Sequence, residues 1–239
     1  MTAMAGAYPP RAAAPASTLL RARLGLVQPA LDAVTARLWR AAGLAARYRV
    51  YLEVMYDVTR SSVPLMRRAA LRCTDSAERP DPVAAPLRRY LEAHAIEESG
   101  HDDWLREDLE LLGGAARDET APAVAVARLV GPQYYWLEHY HPVTVLGYIA
   151  VMEATAPRPG VLGRIAACAE VPEAALRTVR EHVELDTGHT DAAYRLLDTL
   201  PLTPGQTRAV ALSALHTAHG LIALYDSILR TADAREDPR

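Results

Sequence analysis

From about residue 18 onward, apolar side chains recur every three to four positions rather than every second one, and almost no Val/Ile/Thr stretch alternates as a strand would. This periodicity predicts an all-α chain, punctuated by Pro and Gly. A first helical stretch starts with Ser17 and Thr18 as caps, is interrupted at Pro29, and continues through Leu31, Val34, Leu38 and Trp39 toward Gly43. A second runs from Leu44 to Cys73, with Tyr48, Leu52, Met55 and Tyr56 as its inner stripe and Pro64 as a kink. Asp81-Pro82 places an N-cap before a first-turn proline and opens one continuous helix to Leu112, stopped by Gly113-Gly114. After a loop at Asp118 to Thr120, shorter helical pieces lead to His141-Pro142, which opens a helix ending before Pro157. A short piece at 160 to 169, a long helix from Val171-Pro172-Glu173 to about Leu200, and a final helix from Thr203-Pro204 complete a set of about seven.

Three of these helices carry ionisable groups where an apolar stripe should be unbroken. In His94-Ala-Ile-Glu97-Glu98-Ser-Gly-His101, a helical rotation of about 100° per residue puts 94, 98 and 101 on one face with Leu87, Leu91, Leu105 and Leu112, and 97 at its margin. His182, Asp186 and His189 fall at i, i+4 and i+7 of the long helix. Glu153 is the one carboxylate between Tyr140 and Glu170 and sits in the apolar run Val145 to Ala154. Burying such groups is costly unless they are paired or coordinated. A single Glu-x-x-His pair reads equally as a solvated helix face. The second patterned helix shifts the balance from a polar groove toward a metal site, because Glu-x-x-His is the step by which bundle helices hold paired iron. Carboxylate and imidazole donors without thiolate suit iron or manganese better than structural zinc.

Composition narrows the chemistry. All 26 basic residues are Arg, so a Schiff-base lysine, a pyridoxal-phosphate anchor and a P-loop lysine are excluded. Against 29 acidic residues they leave a net charge of -3, with no surplus for phosphate backbones, so no nucleic-acid partner is expected. Phe is absent, which leaves an Ala- and Leu-rich core. Cys73 and Cys168 are solitary and read as buried thiols of a reducing, cytoplasmic setting. No stretch has the length of a membrane span or a signal peptide's apolar run, so no membrane partner is expected. Residues 1–17, biased to Ala and Pro, read as a disordered N-terminal tail before a single domain at 18–233.

The segments HAIEESGHDDWLREDLELLG (94–113), HPVTVLGYIAVME (141–153) and HVELDTGH (182–189) resemble the heme-oxygenase-like di-iron oxidases and oxygenases, the iron-containing redox enzymes. The resemblance covers most of residues 45–200 and implies a single-domain seven-helix heme-oxygenase-like bundle. It also implies two iron ions held by Glu98, His101, Glu153, His182, Asp186 and His189, with O2 as co-substrate. Under it, Glu98, His101 and His189 would hold one iron and His182 and Asp186 the other, with Glu153 bridging. Several members carry a further Glu before the first His; here the position one turn before Glu98 is His94, and the preceding helix offers Glu53 and Asp57. His94, Glu97 and Asp57 are therefore additional ligands or groups that orient the ligands. Glu53 and Asp57 also read as a solvated acidic pair.

Tyr56, Arg60 and Tyr148 are expected at the substrate pocket, whose apolar positions also include Tyr134, Tyr135 and Trp136. Arg67 and Arg68 offer further guanidinium groups for a substrate carboxylate, whereas His139, His141, His216 and His219 read as ligand-orienting, capping or surface groups. The implied activity is O2-dependent oxidation of a small amino acid or amine by N-oxygenation, oxidative C–C cleavage or desaturation in a biosynthetic pathway. A small-molecule substrate and an external electron donor are the expected partners, with a homodimer as an open alternative. Two other readings compete: a metal-free relative of the same fold, thiaminase-like or quinone-cofactor-forming, and a ferritin-like metal-binding protein without turnover. Heme itself fits less well, since one proximal His in a wide apolar cleft is not this cluster.

Overall fold

The computed structural model describes residues 14–74, 78, 80–114, 124–168 and 170–236, except for the side chains of 184–190. Among these the chain is all-α, with ten α-helices and two 3-10 turns and no strand. They are α1 (Ala16–Leu24), α2 (Gln28–Leu38), α3 (Leu44–Arg72), α4 (Ala84–Glu97), α5 (His101–Leu111), α6 (Val124–His139), α7 (Val145–Ala154), α8 (Pro159–Ala166), α9 (Arg177–Thr199) and α10 (Pro204–Glu236). The 3-10 turns Pro142–Thr144 and Glu173–Leu176 lead into α7 and α9. Helix α1 begins at Ala16, ahead of the expected boundary at 18, and Ser17 is tied by its amide and hydroxyl to Asp198 at 2.9 and 2.6 Å. Helix α10 continues past 233 to Glu236. Residues 1–13 and the loop at Asp118 to Thr120 lie outside the described residues.

The count exceeds seven because two expected helices are each broken in two and the shorter pieces expected before His141 form one helix, α6. Helix α1 gives way to α2 just before Pro29, where the sequence places its interruption. The other break corrects the sequence reading: the helix expected from Pro82 to Leu112 stops at Glu97 and restarts at His101. Gly100 adopts φ 93°, a left-handed conformation that glycine enters without a steric penalty. The Ser99 hydroxyl donates back to the Ala95 carbonyl at 2.6 Å, satisfying an acceptor that the ending helix leaves open.

Helix α10 is the axis of the domain and packs against α1, α2, α3, α6 and α7. Its buried positions include Ala209, Ala211, Ser213, Ala214, Ala218 and Gly220, small side chains that let neighbours approach closely. The closest approach is that of α7, which is buried at every position from Val145 to Val151 and so meets protein on all sides. A Cβ at Gly147 would lie 2.8 Å from the Ala214 amide nitrogen and closer still to the Val210 carbonyl. The polar Gln133 of α6 is satisfied within this core, donating to Thr217 Oγ1 at 3.1 Å and accepting from Ser213 Oγ at 2.9 Å.

Long α3 crosses α4, α5, α6 and α10, and its N-terminal half is anchored by two buried polar side chains. Arg47 donates to the carbonyls of Leu38 and Arg40, closing the C-terminal end of α2, and the Tyr48 hydroxyl donates to the Ala175 carbonyl at 2.8 Å. Glu53 is neither a solvated partner of Asp57 nor placed to bind a metal, because Arg235 of α10 grips both its oxygens at 2.9 and 2.8 Å. Cys73 is buried as expected, and desolvation pushes its thiol up to about 12; Cys168 is half-buried. No described helix is long and apolar enough to cross a membrane.

Candidate metal centre

Four helices and the turn after α4 bring donors to one chamber between α3, α4, α5, α7 and α9. Helix α4 supplies His94, the turn after it Glu98, the start of α5 His101, the end of α7 Glu153, and the second turn of α9 His182. One donor atom from each of Glu98, His101 and His182 lies within 4.8 Å of the others, and the same holds for His94, Glu98 and Glu153. The two sets share Glu98. His101 Nδ1 is 3.0 Å from Glu98 Oε2, and His94 Nε2 is 3.3 Å from Glu153 Oε1. His94 Nδ1 faces Glu97 at 3.6 Å, so Glu97 orients His94 from the rim, where its own side chain is exposed.

Aromatic rings hold the imidazoles in place. Trp104 stacks on His101 at 4.2 Å and meets His182 edge-on at 6.3 Å, and Tyr90 stacks on His94 at 5.5 Å. His182 Nδ1 lies 2.8 Å from the Thr178 carbonyl, which can only accept, so Nδ1 carries the proton and Nε2 keeps its lone pair for a metal. Burial is the main reason that this imidazole is held below its ordinary pKa, which keeps it neutral.

The remaining walls are mostly apolar, with Met55, Val58, Met66, Leu105, Ile149, Met152 and Val179 among them. Tyr148 lines the chamber, its hydroxyl 2.8 Å from Ser62 Oγ, and burial pushes that phenol up to about 12. Among the described residues no guanidinium lines the chamber, and the chain has no lysine. Two inward carboxylates and three imidazoles on such walls make a donor set that a cation suits. A pair of iron or manganese ions therefore fits the residues present.

The other expected site residues fall elsewhere. Tyr56 and Arg60 do not line the chamber; they pair with each other, the guanidinium 5.7 Å from the ring, because Arg60 lies on the exposed side of α3. Asp57 is half-buried on α3 and joins neither donor set. Asp186 and His189 belong to α9, but their side chains lie outside the described residues. Arg67 reaches Ser99 at 3.3 Å and Arg68 pairs with Glu138 at 2.7 Å, so both are engaged on the surface. Tyr135 and Trp136 cluster with His139 and Tyr140 on α6 and its C-terminal turn. His141 caps the turn into α7 and meets Asp81 at 3.0 Å, the capping role expected of it.

Two residues escaped the sequence reading. Tyr90 lies one turn before His94, a spacing that could have found it. Asp108 sits on the stripe of His101 and Leu105, and the signal was a second carboxylate on the face that already carried a histidine.

Residues 49–220 match the family described as iron-containing redox enzymes. Among solved structures, the chain is similar to a domain of unknown function with a heme oxygenase-like fold from Shewanella denitrificans, at a TM-score of 0.70 and 17% identity over 94% of this chain and 93% of that one. It is also similar to a TenA homologue from Pseudomonas syringae pv. tomato, at 0.68 and 14% over 90% and 93%, and to a CADD-like protein of unknown function from Nostoc punctiforme, at 0.61 and 16% over 92% and 97%. At these identities the likeness is one of fold. No curated protein sequence matches.

Proposed function

The chain belongs to the iron-containing redox enzyme family, and on that premise we propose that it is an O2-dependent, non-heme di-iron oxidase or oxygenase of a small organic substrate. The observation that carries the reading is the pair of donor sets joined by Glu98 at one end of an apolar chamber. Glu98, His101 and His182 would hold one iron, and His94, Glu98 and Glu153 the other. The carboxylate common to both ions would then be Glu98 rather than Glu153, and His94 would stand where several members of the family carry a further Glu. Asp186 and His189 complete the proposed ligand set from the family pattern. Bound iron(II) would supply the electrons that make dioxygen reactive.

The chain's own residues do the rest. His182 presents Nε2 because its Nδ1 proton is committed to Thr178. The methionine and aliphatic walls exclude water and seat the apolar part of a substrate against Met55, Ile149 and Met152. Ser62 and Tyr148 place a hydroxyl pair on the same wall, available to orient a polar group on the substrate. A small amine or amino acid fits this division, with its amine toward the carboxylate end and its side chain along the apolar wall. An external donor would return electrons between turnovers, and the product would enter a biosynthetic route.

The test is anaerobic titration of apoprotein with Fe(II), followed by mixing with O2 and recording transient visible absorbance, with Glu153→Ala and His182→Ala as controls. Uptake near two irons and a transient lost in both controls is expected, followed by turnover of an amine or amino acid that a chelator abolishes. Absence of specific iron uptake would refute the proposal in favour of a metal-free organic-ligand site, and iron uptake without organic turnover would favour storage.

A further inference from the structure

Asp108 is only 1% exposed, yet it lies outside the chamber and belongs to neither donor set. Its Oδ2 accepts the Thr178 amide at 2.9 Å. Among the described residues its Oδ1 and the Thr178 hydroxyl are buried without a hydrogen-bond partner, so the Thr178 amide is the group that holds this carboxylate. Arg177 and Thr178 are the first two residues of α9, where backbone N–H groups have no partner inside the helix. The helix's own preceding residue, Leu176, offers no capping side chain. A carboxylate from a different helix, seventy positions away in sequence, therefore performs the N-terminal capping of α9.

Thr178 is also the residue whose carbonyl receives the Nδ1 proton of His182, one turn further on. Asp108 and His182 thus meet at the two ends of one residue, the amide on one side and the carbonyl on the other. Helix α5 carries His101 at its first position and Asp108 two turns later on the same buried face, so a single helix contributes one imidazole and fixes the register of the helix that contributes another. Without the carboxylate, the Thr178 amide would be buried and unsatisfied, and the first turn of α9 would lose the constraint that aims its carbonyl at His182.

We propose that Asp108 is a positioning residue that, by capping α9 at Thr178, fixes the tautomer and direction of the His182 imidazole. The inference rests on the metal-centre reading for its consequence, but its first readout needs no metal. In apoprotein with 15N-labelled histidine, long-range imidazole 15N–1H spectra should show His182, assigned by its loss in His182→Gln, as the Nδ1–H tautomer. Asp108→Leu, close in volume, should yield a tautomer mixture, and Asp108→Asn, which still accepts the amide, should restore the single form.

In Co(II) titrations Asp108→Leu should weaken the site about 10- to 100-fold, the range for loss of a group that orients a ligand. It should cause no further loss in a His182→Gln background. A wild-type His182 in the Nε2–H form would overturn the inference whatever the variants do. So would an unchanged tautomer in Asp108→Leu, or an affinity loss of equal size with and without His182. If Asp108→Leu does not fold, Asp108→Ala is read in the same two assays. Wild-type protein that takes up no metal but shows the expected tautomers would refute the metal reading and leave the positioning role standing.

Discussion

Replacing Gly147 by alanine tests whether the close approach of α7 to α10 depends on the missing side chain. The added methyl would meet the Ala214 amide nitrogen at 2.8 Å and the Val210 carbonyl more closely, both of them backbone atoms that no rotamer change can move. Opening the first contact to the about 3.3 Å of a tight nonbonded approach requires the helices to part by roughly 0.5 Å, and the second requires more. Overpacking of this kind costs about 3 kcal/mol, from which about 1 kcal/mol is recovered because alanine favours a helix interior over glycine. The net loss of about 2 kcal/mol corresponds to a fall in Tm of about 4–8 °C for a chain of this size. Gly220 is the internal control: a Cβ there meets Leu129 Cδ1 at 3.1 Å, the movable end of a side chain, and Leu129 Cα at 3.3 Å, a contact that a shift of a few tenths of an ångström relieves. Gly220→Ala should therefore stay within about 0.5 kcal/mol of the parent, its small crowding offset by the same propensity gain. Urea unfolding of apoprotein measures both. If Gly147→Ala proves no less stable than Gly220→Ala, backbone proximity does not govern this interface. Because α7 also carries Glu153, Gly147→Ala should weaken metal uptake in parallel.

Glu98→Ala should abolish uptake of both metal equivalents while Glu153→Ala removes one, and a titration in which Glu98→Ala still binds a full equivalent would break the shared-ligand assignment. Asp108 is held above the ordinary aspartate pKa chiefly by burial, so the native state favours its protonated form and its charge lowers stability as pH rises through that raised value. Asp108→Asn should thus be as stable as the parent or more so at pH 7, with the difference shrinking below about pH 4, where unfolded aspartate also becomes protonated; chemical denaturation across pH reads this directly. Tyr48→Phe, which deletes the hydroxyl donated to Ala175, should cost about 1 kcal/mol in the same assay. Gly100→Ala should be destabilising by about 1–2 kcal/mol through its left-handed backbone alone, since a Cβ there meets no atom within 4 Å, and a neutral result would remove the conformational argument for the break.

Much of this fold is legible because its punctuation is local. Pro29, Gly113, Pro142, Pro172 and Pro204 each act on their own neighbourhood, and helices start or stop near them. The break at Gly100 escaped because the stripe of Leu87, Leu91, Leu105 and Leu112 runs through it at nearly helical spacing, and one glycine inside such a pattern is ordinarily tolerated. Glu98, His101, Glu153 and His182 could be singled out because each interrupts an apolar face, and a charge there needs a partner wherever the helix docks. What could not be read was pairing across the chain. Glu53 looks like a free acidic side chain until Arg235, 182 positions later, arrives beside it. Arg60 carries the right charge for a substrate carboxylate, but its rotation on α3 takes it away from the chamber, an outcome decided by how α3 settles against its neighbours.

The interruption at Ser99-Gly100 changes what a Glu-x-x-His spacing means in this protein. Along an unbroken helix the two donors would be welded at a fixed separation, and the metal would have to accept it. Here Glu98 travels with α4 and His101 with α5, so the pair spans a joint. A substitution in the turn should therefore change the separation of the two donors, 3.0 Å between Glu98 Oε2 and His101 Nδ1, without touching either side chain.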